Sequence, residues 1–316
     1  MKRTTVCLVT GLMLTLMGLT AQARERQCFD KNWRFLLGDS AIMAMADFDD
    51  SSWRQLDVPH DWAIEGDFFV GNPSGAGGGA LPGGIGWYRK TFTLGDCETP
   101  MKDTKFFIEF DGVYMNSTVY VNGEKVGTRP YGYSSFEYDI TPYVREGKNV
   151  VAVRVDNSDQ PNSRWYSGCG IYRHVWLTKT AKTHVAHWGV YANSSVVKGK
   201  GRLAIEVTLE NLTTGTVPIV RNTLLDPNGK VVGTSKGLKS VINVSKPMLW
   251  SCETPYIYIV RTEVIQGGRV VDTYETTTGF RSFKFDAATG FWLNGKNFKL
   301  NGVCEHHDFG CLGADL

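Results

Sequence analysis

The strongest constraint on the fold is a two-residue alternation of apolar and polar side chains, interrupted by Asn-Gly pairs. Phe106, Ile108 and Phe110 occupy every second position of one such run. Successive side chains of a strand point to opposite faces of the sheet, so this spacing predicts half-buried strands. Asn122-Gly123 separates two apolar runs, which is the strongest short-range signal for a hairpin. The chain is therefore predicted to be all-β and built from antiparallel sandwiches.

From residue 24 onward, the strand pattern divides the chain into three units. Residues 24–182 hold many short strands and turns, and the first strand is predicted at residues 33–36. The spacing of these strands predicts a jelly-roll β-sandwich. Residues 183–278 form a second alternating unit, with Leu203 and Ile205 on one face, and its length suits an immunoglobulin-like β-sandwich. Residues 279–316 begin with a further Asn-Gly hairpin, and its second strand is predicted over residues 298–303.

The first 23 residues have the pattern of a secretory signal peptide. Lys2 and Arg3 supply the positive start, residues 6–19 are apolar, and an A-x-A cleavage site ends at Ala23. The alternative is an N-terminal membrane anchor, but the apolar stretch is short for a bilayer and polar residues follow it at once. We therefore expect export to the periplasm or the extracellular space, with no membrane attachment after cleavage.

Charge and cysteine usage limit the partners and cofactors. The chain has 34 basic and 32 acidic residues, so removal of Lys2 and Arg3 leaves the mature protein near neutral. This balance does not predict binding to nucleic acid and is compatible with a neutral sugar. The six cysteines that follow Cys7 are scattered without a CxxC pair, which argues against structural zinc. We predict no metal or cofactor in this chain and mostly buried free thiols.

Two segments resemble functional motifs but are predicted to be structural. His60 and Asp61 are adjacent, so in extended chain they point to opposite faces and do not form a catalytic pair. Residues 71–86 are rich in glycine but contain neither phosphate-binding pattern, and a strand follows them rather than a helix. We expect a surface loop there, at the rim of a binding site.

One loop combines a guanidinium group with aromatic rings. Arg164, Trp165 and Tyr166 precede Gly168 and Gly170, which allow a tight backbone. Aromatic faces pack on the apolar side of a pyranose and arginine donors meet its hydroxyls, so the group suits a sugar contact. Alternatively, the two aromatic side chains close the end of the sandwich and Arg164 is a surface ion-pair residue. The residues alone favour neither interpretation.

A second candidate cluster follows the predicted strand at residues 298–303. Glu305, His306, His307 and Asp308 are four titratable groups in a row. Such groups after a buried strand cost desolvation energy unless they have partners or a function. The alternative is a solvated turn.

Three segments resemble glycoside hydrolase family 2, and its β-galactosidase branch in particular. They are FWLNGKNFKLNGVCEHHDFGCLG at residues 291–313, SRWYSGCGIYRHVWL at residues 163–177, and LWSCETPY at residues 249–256, where Cys252 stands in place of the usual proline. The resemblance implies that residues 279–316 are the lead-in hairpin and first strand of a truncated (β/α)8 barrel. A complete barrel takes about 250 residues.

The resemblance also implies an activity and a site. The chain would be the N-terminal part of an exported retaining exo-β-glycosidase acting on terminal β-galactosides in carbohydrate metabolism. The family's catalytic glutamates lie on later strands, so this chain would contain no catalytic residue, Glu305 included, and would be inactive alone. His306 would contact the sugar with His307 and Asp308 beside it.

Other consequences of the resemblance concern the first domain and the whole enzyme. Arg164 and Trp165 would reach towards His306 and line the sugar pocket. A family-type magnesium site would need ligands after residue 316, and the full-length enzyme could be a homo-oligomer. A β-glucuronidase or β-mannosidase of the same family, and a non-catalytic carbohydrate-binding module, remain as alternatives.

Overall fold

The computed structural model describes residues 24–95, 103–212 and 217–303. Within these ranges the secondary structure is almost entirely β, as predicted. Three single turns of 3₁₀ helix lie at Ala41–Ala44, Ala63–Glu65 and Ala76–Gly78. The strands are β1 Glu25–Cys28, β2 Trp33–Leu37, β3 Arg54–Leu56, β4 Gly84–Leu94, β5 Thr104–Phe110, β6 Ser117–Val121, β7 Glu124–Arg129, β8 Phe136–Asp139, β9 Gly147–Asn157, β10 Val175–Ala181, β11 His184–Val197, β12 Lys200–Glu210, β13 Ile219–Leu225, β14 Val231–Lys236, β15 Lys239–Val244, β16 Tyr258–Gln266, β17 Arg269–Thr278, β18 Phe283–Asp286, β19 Gly290–Leu293 and β20 Lys296–Asn297.

Strands β1–β10 form the first sandwich. A six-stranded sheet in the order β3-β2-β4-β9-β6-β7 packs on a four-stranded sheet in the order β1-β10-β5-β8, and the pairings are antiparallel. The core between them contains Trp33, Tyr88 and Val153 from one sheet and Phe110 from the other, all fully buried. The sandwich agrees with the predicted jelly roll.

Strands β11–β17 form the second sandwich, again in agreement with the prediction. Its sheets have the orders β11-β12-β15 and β14-β13-β16-β17. Leu203 and Ile205 lie in its core, on the face that the alternation predicts. Asn222 and Thr262 are also fully buried, and the Thr262 hydroxyl donates to Asn222 Oδ1 at 2.9 Å, so these polar groups are satisfied.

A partly buried ion pair joins the two sandwiches. Arg24 Nε, just before β1, lies 3.2 Å from Asp272 Oδ1 on β17. Val185 N also donates to the Asp272 carboxylate, at 2.7 Å. Nearby, His187 on β11 lies 3.3 Å from Glu137 Oε2 on β8 of the jelly roll. Polar contacts of this kind fix the orientation of one sandwich on the other.

The predicted Asn-Gly hairpins are confirmed. Asn122 and Gly123 connect β6 to β7 with φ values of 52° and 88°. Asn294 and Gly295 connect β19 to β20 with φ values of 50° and 79°. Both residues of such a turn need positive φ, which asparagine and glycine adopt most easily.

Two expectations about individual strands are wrong. The first strand is Glu25–Cys28 and not the segment that begins at Trp33, which is β2. β1 is an exposed edge strand of polar residues, so its sequence has no apolar alternation to reveal it. Residues 298–303 form no strand, and the hairpin partner of β19 is the two-residue β20. Strand structure requires repeated backbone bonds to a neighbour. Phe298 N donates to the Phe291 carbonyl of β19 at 2.8 Å, but the described residues show no ladder that continues over residues 299–303.

The last described unit is the sheet β18-β19-β20. It packs on the second sandwich, where Asn294 Nδ2 donates to the Trp250 carbonyl at 2.9 Å. The resemblance predicts the lead-in hairpin and first strand of a truncated barrel over residues 279–316, of which residues 304–316 lie outside the described ranges. Among the helices that the structure describes, none is long and apolar enough to cross a membrane.

The prediction of mostly buried free thiols holds only in part. Cys28, Cys169 and Cys252 are free, but only Cys169 is buried. Burial raises the pKa of the Cys169 thiol to about 12. Cys169 is therefore an unreactive packing residue.

Candidate functional site

The loop at residues 157–170 carries the predicted sugar-contacting residues. It leaves the end of β9 and returns to the sandwich at an isolated bridge between Tyr114 and Gly170. It packs on the glycine-rich segment, where a Cβ added to Gly77 would lie 3.6 Å from the Arg164 carbonyl oxygen. The glycine-rich segment thus borders the loop. Glycine is required at Gly83, where an added Cβ would lie 2.5 Å from the Asn157 carbonyl oxygen.

Asparagine side chains fix the two ends of the loop to each other. Buried Asn157 donates from Nδ2 to the Gly168 carbonyl at 3.1 Å. Asn162 donates to Asn157 Oδ1 at 2.7 Å, and Asn162 Oδ1 accepts from Tyr114 Oη at 3.1 Å. These bonds hold the backbone around residues 163–165 in one conformation.

Asp61 anchors the loop from the core. Its buried carboxylate accepts bonds from the Cys169 backbone N–H at 2.8 Å and the Ala63 backbone N–H at 2.9 Å. The Tyr166 phenol also donates to Asp61. Burial, with the adjacent negative charge of Asp61, holds the pKa of Tyr166 far above its usual range. Asp61 therefore has a structural role.

His60 makes a separate set of contacts. Its Nδ1 lies 2.7 Å from Tyr88 Oη, and its Nε2 lies 3.2 Å from Glu65 Oε1. Burial lowers the pKa of His60, and hydrogen bonding to Glu65 opposes that shift. His60 and Asp61 thus bond to different partners, which agrees with their predicted structural role.

Of the two interpretations that the sequence left open, Tyr166 fits closure of the sandwich end and Trp165 fits a sugar contact. Tyr166 is 9% exposed and closes the end of the sandwich, whereas Trp165 is 43% exposed. Trp165 is fixed all the same, because its indole N–H donates to Tyr133 Oη at 3.0 Å. Arg164 is exposed and forms no ion pair with the residues that the structure describes. The side chains of Trp165 and Arg164 are therefore both at the surface, where a ligand can reach them.

Sequence reasoning missed a second aromatic segment beside this loop. Tyr131 is 58% exposed, and its ring lies 5.8 Å from that of Tyr133, which contacts Trp165. We call Tyr131, Tyr133 and Trp165 the aromatic patch. The sequence signal is the run Pro130-Tyr131-Gly132-Tyr133, which breaks the alternation between β7 and β8.

The second predicted cluster is not placed by the structure. His306, His307 and Asp308 lie outside the described residues, and so does Glu305. Their proximity to Arg164 and Trp165 therefore stays a prediction.

In the described ranges, one group of side chains has the spacing of metal ligands. Glu109, Glu137 and His187 have ligand atoms within 4.8 Å of one another. Arg26 already donates to Glu109 at 2.9 Å, and His187 pairs with Glu137. These charges are compensated within the protein, and the group is better described as an interdomain contact than as a metal site.

Comparison with protein families identifies both sandwiches. The model described as "Glycosyl hydrolases family 2, sugar binding domain" matches residues 79–181, and the one described as "Glycosyl hydrolases family 2" matches residues 183–281. The candidate loop lies within the first match.

Similar proteins include glycosidases of two named activities. "Beta-galactosidase BoGH2A" of Bacteroides ovatus is 51% identical over 92% of this chain, and a "Putative beta-glucuronidase" of Formosa agariphila is 44% identical over 98%. The crystal structure of a β-glycosidase from Bacteroides vulgatus superposes with a TM-score of 0.87 at 39% identity, covering 92% of this chain and 38% of that one. This chain spans 36% of the length of the first relative and 30% of the second.

Proposed function

This chain belongs to glycoside hydrolase family 2, and we propose that it is the N-terminal, substrate-facing part of an exported retaining exo-β-glycosidase that removes terminal β-galactosyl residues. The observation that carries the proposal is the exposed pair Arg164 and Trp165 on a loop anchored by buried hydrogen bonds. The 51% identity to a protein named β-galactosidase supports the choice of sugar.

In this proposal the described residues bind and orient the sugar. Trp165 packs on the apolar face of the pyranose, and Arg164 donates to its hydroxyl groups. By the family resemblance, His306 contacts the same sugar, with His307 and Asp308 beside it. Retaining hydrolysis uses two carboxyl groups about 5–5.5 Å apart, one as nucleophile and one as acid/base. We propose that residues outside this chain supply both, and that the chain alone is inactive.

A β-glucuronidase is the second candidate, and the free guanidinium group of Arg164 favours it. A uronic acid carries a carboxylate, which arginine binds with paired N–H donors. The 44% identity to a protein named as a putative β-glucuronidase is compatible with this activity. Under this alternative, loss of Arg164 should harm glucuronide hydrolysis far more than galactoside hydrolysis.

A chimera tests the proposal. Residues 24–316 would replace the matching N-terminal segment of the Bacteroides ovatus β-galactosidase, and the purified protein would be assayed on nitrophenyl β-galactoside, β-glucuronide and β-mannoside. We expect hydrolysis of the galactoside above the other two. A chimera that unfolds cooperatively like its parent but hydrolyses none of the three would contradict the proposal, and preference for the glucuronide would establish the second candidate.

The location of the protein needs its own experiment. Fusing residues 1–40 to an alkaline phosphatase that is active only outside the cytoplasm should give active reporter if the segment directs export. Replacing Lys2 and Arg3 by glutamate should lower that signal. Equal reporter activity with and without residues 1–23 would overturn the proposed export. We propose that this chain binds no cofactor. A magnesium site and a homo-oligomer are proposed only for the full-length enzyme.

A further inference from the structure

We propose that Tyr131, at the outer end of the aromatic patch, binds the sugar unit that follows the terminal residue held by Trp165, so that the enzyme acts on β-linked oligosaccharides. The inference rests on the proposed function, because it extends the same site from one sugar unit to a chain. It depends on Tyr131, to which neither the sequence analysis nor the comparisons assign a role.

Tyr131 offers a ring at the outer end of the patch. Its ring is inclined at 65° to that of Tyr133, an edge-to-face arrangement, and 58% of the residue is exposed. In an edge-to-face pair the partner covers at most one face of a ring, so the exposed Tyr131 ring keeps a face for a ligand. Ordering an exposed tyrosine side chain when a ligand binds costs little conformational entropy, because the side chain has only two torsions.

The patch is rigid beneath its exposed surface. Tyr133 Oη accepts from Trp165 Nε1 at 3.0 Å and donates to Ser167 Oγ at 3.2 Å. The rings of Tyr114 and Tyr133 pack edge to face at 5.2 Å. The Gly132 carbonyl accepts from Tyr172 Oη at 2.8 Å. The segment that carries Tyr131 is therefore held in place before any ligand arrives, which favours binding.

The arrangement suits a chain of sugars better than a single one. Tyr131 and Trp165 belong to different loops and are separated by Tyr133, which contacts both. One pyranose covers about one aromatic ring, so the two exposed rings can each take a different unit. The three patch side chains carry no formal charge, which favours a neutral glycan over an ionic partner.

Calorimetric titration of the purified 316-residue chain tests the proposal, with galactose, β-1,4-galactobiose and β-1,4-galactotetraose as probes. We expect tighter binding of the tetraose than of galactose. Tyr131→Ala should weaken tetraose binding by roughly two- to ten-fold and should lower the ratio of tetraose to galactose affinity. Tyr131→Phe keeps the ring and should restore most of that ratio. Tyr191→Ala is the control, because Tyr191 is 64% exposed on the second sandwich.

Each contrary result has a defined meaning. Affinity that does not rise with chain length, or a ratio equal in wild type and Tyr131→Ala, overturns the oligosaccharide proposal while leaving the terminal-sugar site intact. Loss of binding in the Tyr191→Ala control as well would also overturn it, because the effect would not be specific to the patch. Failure of the proposed function is recognised separately, as a folded chimera that does not hydrolyse nitrophenyl β-galactoside.

Discussion

Tyr166 donates a buried hydrogen bond to the carboxylate of Asp61, although the two residues are 105 positions apart in the sequence. Asp61 also accepts from the Cys169 backbone at 2.8 Å. One carboxylate thus holds both a side chain and the backbone of the candidate loop. Because Tyr166 is fixed inwards, its neighbour Trp165 is presented outwards.

Replacing Tyr166 by phenylalanine should destabilise the first sandwich. The substitution keeps the ring but leaves the buried Asp61 carboxylate without one of its partners. We expect the free energy of unfolding to fall by about 1–3 kcal/mol, measured by urea denaturation. Tyr191→Phe, on an exposed tyrosine, should change it by less than about 0.5 kcal/mol. Equal stabilities of the two variants would contradict the anchoring role of Asp61.

Replacing Gly170 by alanine should disturb the return of the loop. Gly170 has φ of +130°, and an added Cβ would lie 2.3 Å from Tyr88 Oη and 2.6 Å from the His60 carbonyl oxygen. The backbone of His60 cannot move without displacing the segment that Asp61 holds. We expect a loss of about 2 kcal/mol or more in unfolding free energy. Gly95→Ala is the control, since no described residue lies within 4 Å of its added Cβ, and a similar loss there would refute the steric argument.

His187 should make the contact between the sandwiches depend on pH. Its hydrogen bond to Glu137 raises the pKa of His187 above its ordinary value of 6.5, with a further contribution from the charge of Glu109, while burial and Arg24 oppose the shift. Because the folded-state pKa is the higher one, protonation favours the folded state. The stabilisation is complete below the ordinary pKa and is lost as pH rises through the raised value.

The measurement for His187 is the difference in unfolding free energy between wild type and His187→Gln from pH 5 to pH 9. We expect wild type to be more stable by about 0.5–1 kcal/mol at the acidic end, with the difference shrinking towards the basic end. A difference that stays constant, or grows with pH, would show that the ion pair with Glu137 does not stabilise the folded protein.

Local turn chemistry explains why most of the fold could be predicted from the sequence. The turn at Asn122-Gly123 needs positive φ at two successive positions, and these residue types adopt it at low cost. The alternation of residues such as Leu203 and Ile205 then determines which face of each strand is buried. Both signals lie within a few neighbouring positions, so a single sequence reveals them.

The features that escaped prediction depend on contacts between distant segments. β1 is a strand because its backbone pairs with β10, and its own side chains give no sign of that partner. The aromatic patch forms because Tyr133 and Trp165 meet across loops that are 32 positions apart. For the candidate site, the sequence predicts Arg164 and Trp165 but not Tyr131, because the packing that brings Tyr131 close to Trp165 is tertiary.

The most direct test of the central claim, that the loop at residues 157–170 presents its exposed side chains to a terminal sugar, is the kcat/KM of the chimera on nitrophenyl β-galactoside in two matched variants. Trp165→Ala should lower kcat/KM by about tenfold, through loss of stacking on the sugar. Trp188→Ala removes a tryptophan that is 67% exposed on the second sandwich, and it should leave kcat/KM within about twofold of the parent chimera. If Trp165→Ala retains the parent value, or if both variants lose activity equally, the loop does not contact the sugar and the account is contradicted.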